Sequence, residues 1–325
     1  MRAICLSGHG GPEVMTVGAA DEPTPGPDEV VVDVVAAGVN RADVLQRLGL
    51  YPPPPGASEI LGLECSGIIA AVGERVHGWS VGDRVCALLS GGGYAERVAV
   101  PATALLSVPE SVDLVSAAGL PEVACTVWSN LVMAARLGPR QRLLVHGGGS
   151  GVGTHAIQVA LALGAEVAVT AGSRHKLERC RDLGAKLLVN YRDEDFVAAV
   201  RAWGGADVIL DNMGAAYLER NVEALAPDGR LVVVGLQGGV AGPVNLAALM
   251  AKRGTIHAAG LRARADTGDS SKAEIVAEVE RHLWPLIADG VVLPVIHAVL
   301  PIAEAPRAHE LLDSPDTVGK VLLTV

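Results

Sequence analysis

The feature that most narrows the folding of this chain is a regular alternation that begins at Arg142. Strand "RLLVH" is followed by helix "THAIQVALALG", strand "EVAVTAG" and helix "KLERCRDLG". Strand "KLLVN", helix "DFVAAVRAW", strand "DVILDN", helix "YLERNVEALAPDG" and strand "RLVVVG" come next. The strands are apolar almost throughout, so both of their faces must be covered, which is the signature of a parallel sheet between helical layers. This order predicts a doubly wound nucleotide-binding domain. Between the first strand and the first helix lies "GGGSGVG". Glycines there permit a tight turn and let backbone amides approach an anion at the helix N-terminus. Set against the G-x-G-x-x-G pattern, the six positions are Gly148, Gly149, Ser150, Gly151, Val152 and Gly153, with Ser150 where the second glycine is usual. A purely structural turn would use the same residues, and the full strand–helix series is what favours a nucleotide.

The end of the next strand bears on which nucleotide is bound. An acidic residue about twenty positions after the loop usually receives the ribose hydroxyls of NAD. Here that end reads "TAGSRHK": Thr170 to Ser173 include no acid, and Arg174, His175 and Lys176 are basic. A carboxylate would repel a 2'-phosphate, whereas the small Gly172 with Ser173 and Lys176 would accept one. The local chemistry therefore favours NADPH. The plainer alternative is that Arg174 and Lys176 form a solvated first helical turn.

The remainder of the chain has a different texture. "EVVVDVVAAG", "GLECSGIIAAVG", "DRVCALL" and "YAERVAV" read as short strands punctuated by Gly and Pro. One helix, "RADVLQRLGL", interrupts them and leads into "YPPPPGAS", an extended run without ladder donors. The tail, ending in "GKVLLTV", returns to strand-like segments and is expected to fold back on this first domain. The formal charge of -10 disfavours a nucleic-acid partner, because phosphate binding rests on clustered Lys and Arg. No apolar run is long enough for a membrane span, and "MRAICLSGHGGPEV" lacks an apolar signal core. Five cysteines (Cys5, Cys65, Cys86, Cys125, Cys180) without paired spacing argue against a disulfide framework or a cysteine zinc site. A cytoplasmic enzyme is the expectation.

The segments "VNRADVLQRLGLYPPPPGASEILGLECSG", "VGDRVCALL" and "GGYAERVAV" resemble the medium-chain dehydrogenase/reductase superfamily. The likeness is nearest to its zinc-free quinone oxidoreductases, the zeta-crystallin relatives, and among these to the tumour-suppressor-inducible branch. It implies a GroES-like β-rich catalytic domain over residues 1–121, completed by 288–325, with a Rossmann NADPH-binding domain over 122–287. Nicotinamide and substrate would lie in the cleft between them. Zinc relatives use Cys, His and Cys or Asp ligands; the matching positions here are Asn40, Leu63 and Glu122, a set that lacks the thiolate and imidazole. The four-cysteine structural lobe is also missing, so no metal is expected. The chemistry left open is hydride addition to an electron-poor acceptor whose oxyanion needs only hydrogen-bond donors.

By the same resemblance, Asn40 and Tyr51 are candidate donors to that oxygen and Thr126 lies near the nicotinamide. Asn40 could also cap its helix, and Tyr51 could be a packing residue. Gly151, Val152 and Gly153 would contact the pyrophosphate. Gly172, Ser173 and Lys176 would hold the 2'-phosphate, with Tyr191 nearby. Leu236, Gln237, Leu261 and Arg262 would approach the nicotinamide side. His146 reads as a structural residue. Three functions remain in view: quinone reduction with NADPH, reduction of α,β-unsaturated aldehydes or ketones, and NADPH binding without turnover. Relatives often pair as homodimers through sheet edges, with "GTIHAAGLR" the candidate edge strand here.

Overall fold

A computed structural model describes all the residues from Met1 to Val325. They divide into two compact units. The first comprises Met1–Cys125, Leu261–Gly290 and Pro294–Val325; the second comprises Thr126–Gly260 and Val291–Leu293. No helix is long and apolar enough to cross a membrane.

The first unit is built on antiparallel strands. β1 (Arg2–Leu6) and β2 (Met15–Ala19) form a hairpin-like pair. The main sheet contains β3 (Glu29–Val39), β4 (Glu64–Val72), β5 (Arg84–Leu88), β6 (Arg97–Pro101) and β7 (Leu105–Ser107). β3 carries the run "EVVVDVVAAGV", and its one exposed charge, Asp33, meets Arg97 of β6 at 2.7 Å. Val30, Val32, Ile69, Val85, Tyr94, Val100 and Leu323 sit in one buried cluster. Full burial of each large aliphatic side chain contributes about 1.5–3 kcal/mol.

The second unit holds a six-stranded sheet. Its strands are β8 (Arg142–His146), β9 (Glu166–Ala171), β10 (Leu187–Asn190), β11 (Ala206–Asp211), β12 (Leu225–Val233) and β13 (Thr255–Ala258). They lie in the order β10-β9-β8-β11-β12-β13, every pair parallel. The winding reverses between β8 and β11, and ligands of such sheets bind at the carboxyl ends beside that switch. The helix expected through Gly229 stops at Ala224, because Leu225 already pairs with Ala206. Pro227 has no N–H for a helix, and Asp228 turns left-handed at φ 61°.

The tail completes the first sheet. β14 (Ile296–Pro301) pairs with β15 (Lys320–Thr324), and β15 runs antiparallel to β3 with Val321 opposite Val39. The observed division differs from the expected one over residues 261–287, which pack with the first unit. Arg262 donates to the Ser90 carbonyl (2.9 Å), Lys272 to Ser90 Oγ (2.7 Å) and Trp284 Nε1 to the Ser107 carbonyl (2.6 Å). Lys272–Glu278 forms a helix within this segment. Residues 122–125 likewise stay with the first unit.

Candidate functional site

The glycine loop follows β8. Gly147 adopts φ 69°, a left-handed turn that brings the chain back over the sheet. Ser150 is the N-cap of the helix Gly151–Ala162, its Oγ accepting from Gly153 N at 3.0 Å. The serine that departs from the glycine fingerprint thus satisfies one of the helix's orphan amides. The amides of Gly151 and Val152 have no carbonyl partner within the helix ladder and are left at its positive end for an anion. Gly153 must be glycine, because a Cβ would strike the carbonyls of Gly147 and Gly148.

At the carboxyl ends of β9 and β10 the residues expected at the 2'-phosphate are brought together. Ser173 caps the helix Arg174–Asp182, accepting from Lys176 N at 3.4 Å. The Lys176 stem lies on Gly149, where a Cβ would sit 3.2 Å from its Cγ and Cδ. Tyr191 follows β10, and its hydroxyl fills the space a side chain at Gly172 would need. No carboxylate stands at the end of β9, where the chain reads Thr170–Ala171–Gly172–Ser173. On the other side of the switch, Gln237 N donates to the Asn212 carbonyl at 3.2 Å, and Leu236 is exposed beside Gly214.

His146 ends β8 but is fully engaged. Its Nδ1 meets Thr170 Oγ1 at 3.0 Å and its Nε2 meets Asn221 Oδ1 at 2.7 Å, with Phe196 and Tyr217 edge-on to the ring. Burial first, and Arg220 in addition, lower its pKa to about 4, against the raising effect of Asn221. Thr126 opens the second unit at the point where the helix Pro121–Val127 passes into the π-helical turn Trp128–Ala134. Its carbonyl accepts from Asn130 Nδ2 at 2.8 Å.

In the first unit the candidate donors are Asn40 and Tyr51. Asn40 precedes the helix Arg41–Arg47, and its backbone N–H is taken by the Asp43 carboxylate at 2.8 Å. Its carboxamide turns to a buried ion pair, with Nδ2 donating to Glu64 Oε1 (2.9 Å) and Oδ1 accepting from Lys320 Nζ (2.7 Å). Asp43 is completely buried and also receives Gly62 N and the Tyr94 hydroxyl; burial pushes its pKa up to about 6. The Tyr51 phenol is raised by burial and then by Glu122, against the pull of Arg262, so it stays protonated at neutral pH.

Leu261 and Arg262 are buried and belong to the first unit. The Arg262 guanidinium is committed to Gln46 Oε1 (2.6 Å) and to the Ser90 and Tyr51 carbonyls, and it stacks 5.4 Å over the Tyr51 ring. One of these bonds ties it to the proline loop that carries Tyr51. The polar partners Glu64, Lys320 and Asp43 were not singled out from the sequence. The available signal was a charge inside an apolar strand, as in "LECSGII" and "GKVLLTV".

The metal-matching positions do not suit a cation. Leu63 is a buried hydrocarbon, the Asn40 oxygen already faces the Lys320 ammonium, and the chain has no cluster of three His, Cys, Asp or Glu side chains able to hold a metal ion. An ammonium at this point would repel a divalent ion.

A switch-point glycine loop beside a capped helix defines a dinucleotide-binding protein of the dehydrogenase kind. The family model described as "Alcohol dehydrogenase GroES-like domain" matches residues 26–110, and "Zinc-binding dehydrogenase" matches residues 151–273. The chain is similar to quinone oxidoreductase 1 of Escherichia coli K12, with 33% identity covering 97% of both chains. It is also similar to a 2-haloacrylate reductase of Burkholderia sp., with 30% identity over 99% of this chain and 98% of that protein. A further match is a phenolphthiocerol/phthiocerol polyketide synthase of Mycobacterium tuberculosis, at 31% identity; the match takes in 92% of this chain but only 14% of that protein's length. The solved structure of E. coli quinone oxidoreductase complexed with NADPH superposes with a TM-score of 0.89 at 30% identity, covering 100% of both chains. The chain belongs to the medium-chain dehydrogenase/reductase superfamily, among its quinone oxidoreductase-like members.

Proposed function

We propose that this protein is an NADPH-dependent, metal-independent reductase that delivers hydride to a quinone. The observation that carries the reading is the grouping of Gly172, Ser173, Lys176 and Tyr191 around an acid-free strand end beside the glycine loop. The Gly151 and Val152 amides hold the pyrophosphate, and Ser173 and Lys176 hold the 2'-phosphate. Thr126, Leu236 and Gln237 border the nicotinamide. When bound, NADPH supplies the hydride. Asn40 and Tyr51 donate hydrogen bonds to the acceptor oxygen as negative charge develops on it. The motif "QRLGLYPPPPGAS" supports a place nearest the tumour-suppressor-inducible branch.

A second reading, reduction of a conjugated double bond, is favoured by the similarity to a 2-haloacrylate reductase, and the same donors would serve the enolate oxygen. One acceptor screen tests both. With chelator present, the protein is expected to oxidise NADPH with benzoquinone or an ortho-quinone far faster than it oxidises NADH. Activity confined to enones would replace the quinone reading with the second. Loss of activity on chelation, or an NADH preference, would overturn the metal-free NADPH account. Tight NADPH binding without turnover would point to a binding role.

The reading includes a homodimer and a cytoplasmic location. β13 is the sheet's edge, all four of its residues are exposed, and Leu246 and Met250 are exposed on a nearby helix with no buried residue. An exposed edge strand of this kind invites pairing with a second copy. All five cysteines are free thiols, as suits a reducing compartment.

A further inference from the structure

The Glu64–Lys320 pair lies within the first unit, its two side chains 0% and 5% exposed and 2.5 Å apart. Buried ion pairs are poor stabilisers, because desolvation offsets most of the attraction and apolar replacements are often neutral. The hydrogen bonds of this pair point to another use. Lys320 Nζ has three donors, and they go to the Val39 carbonyl (3.2 Å), Asn40 Oδ1 (2.7 Å) and Glu64 Oε1 (2.5 Å). Glu64 Oε1 also accepts from Asn40 Nδ2 (2.9 Å), and Oε2 accepts from Glu122 N (2.9 Å). Gly38 makes room for this, since a Cβ there would collide with Glu64 Oε1.

The Asn40 carboxamide is therefore gripped at both ends by opposite charges. Turned over, it would set its NH2 against an ammonium and its oxygen against a carboxylate, so electrostatics selects one orientation. In that orientation the second Nδ2 hydrogen is held only weakly, by the Gly38 carbonyl at 3.5 Å, and can turn to a better acceptor.

We propose that Lys320 and Glu64 are positioning residues that fix the Asn40 carboxamide in the one orientation that presents an N–H to the acceptor oxygen. The proposal rests on the reading of Asn40 as the donor. As hydride adds, a π-electron pair of the acceptor moves onto that oxygen, the N–H stabilises the charge, and a solvent proton then neutralises it.

The test compares Asn40→Ala, Lys320→Arg and the double variant Glu64→Gln/Lys320→Met, which removes both charges without orphaning either. The double variant is expected to lower kcat about 10- to 100-fold, less than the roughly 100- to 1000-fold of losing an oxyanion donor outright because Asn40 itself remains, with acceptor KM and NADPH Kd nearly unchanged. Lys320→Arg is expected to recover most of the activity. In side-chain amide 1H–15N spectra, the Asn40 pair (assigned by its loss in Asn40→Ala) is expected to move toward free-amide positions in the double variant. Wild-type kcat in the double variant beside a crippled Asn40→Ala would overturn the positioning role and leave the donor reading standing. Wild-type kcat in Asn40→Ala would remove both. Should the double variant not fold, Glu64→Asp decides: a kcat loss at constant NADPH affinity supports the role, and wild-type kcat overturns it.

Discussion

Replacing Lys176 with methionine isolates the contribution of the 2'-phosphate. The aliphatic stem of Lys176 packs on Gly149 at 3.2–3.3 Å from an ideal Cβ, so methionine keeps that contact and removes only the ammonium. A charge-assisted bond from an ammonium to a phosphate contributes about 1.5–3 kcal/mol. The NADPH Kd is then expected to rise roughly 10- to 150-fold. NADH has no phosphate at that position, so its Kd is expected to stay within about twofold. Because Lys176 is only partly buried, the difference is expected to shrink in high salt, where exposed charges are screened. Fluorescence titration of both nucleotides at low and high ionic strength measures all of these quantities. Gly172→Ala, whose methyl would run into the Tyr191 hydroxyl, is expected to weaken NADPH binding by displacing that ring. Equal weakening of NADPH and NADH by Lys176→Met would refute the phosphate assignment and return Lys176 to a solvated helical turn.

Two further outcomes follow from the second unit. Burial lowers the His146 pKa from 6.5 to about 4, so the unfolded chain binds the extra proton first and stability falls as pH drops through that window. Its share is on the order of 3 kcal/mol; His309, lowered to about 3, acts in the same direction, and Asp43, raised to about 6, acts against both. Urea unfolding between pH 7 and pH 4 is expected to show a net loss that is shallower in His146→Gln; an unchanged slope would remove His146 from the balance. For the edge strand, light scattering is expected to give twice the 33.3 kDa chain mass for the wild type and a monomer for Ile256→Asp. A dimeric Ile256→Asp would move the interface elsewhere.

Much of the second unit was legible in the sequence, because its information is local. Apolar runs of strand length alternating with periodic helices dictate a covered parallel sheet. The loop "GGGSGVG" lies where β8 meets its helix, and Ser150 and Ser173 cap helices within three residues of themselves. A cap, a tight turn and an acid-free strand end are each settled by neighbours along the chain, so Gly172, Ser173 and Lys176 could be grouped before any coordinates. The strands of the first unit were equally readable from their β-branched runs.

What tertiary structure alone decided was the partner of each buried polar group. Lys320 reaches Glu64 across 256 residues, because β15 pairs with β3 at Val321–Val39 and β4 pairs with β3 at Cys65–Ala37. A slip of one residue in either register would turn these side chains to the opposite face, and hydrophobic period does not encode which strands become neighbours. Arg262 is the same case: nothing in its neighbours along the chain shows that its guanidinium binds Gln46, Ser90 and Tyr51. The nucleotide end was written in adjacent residues, while the setting of Asn40 exists only once three distant strands have come together.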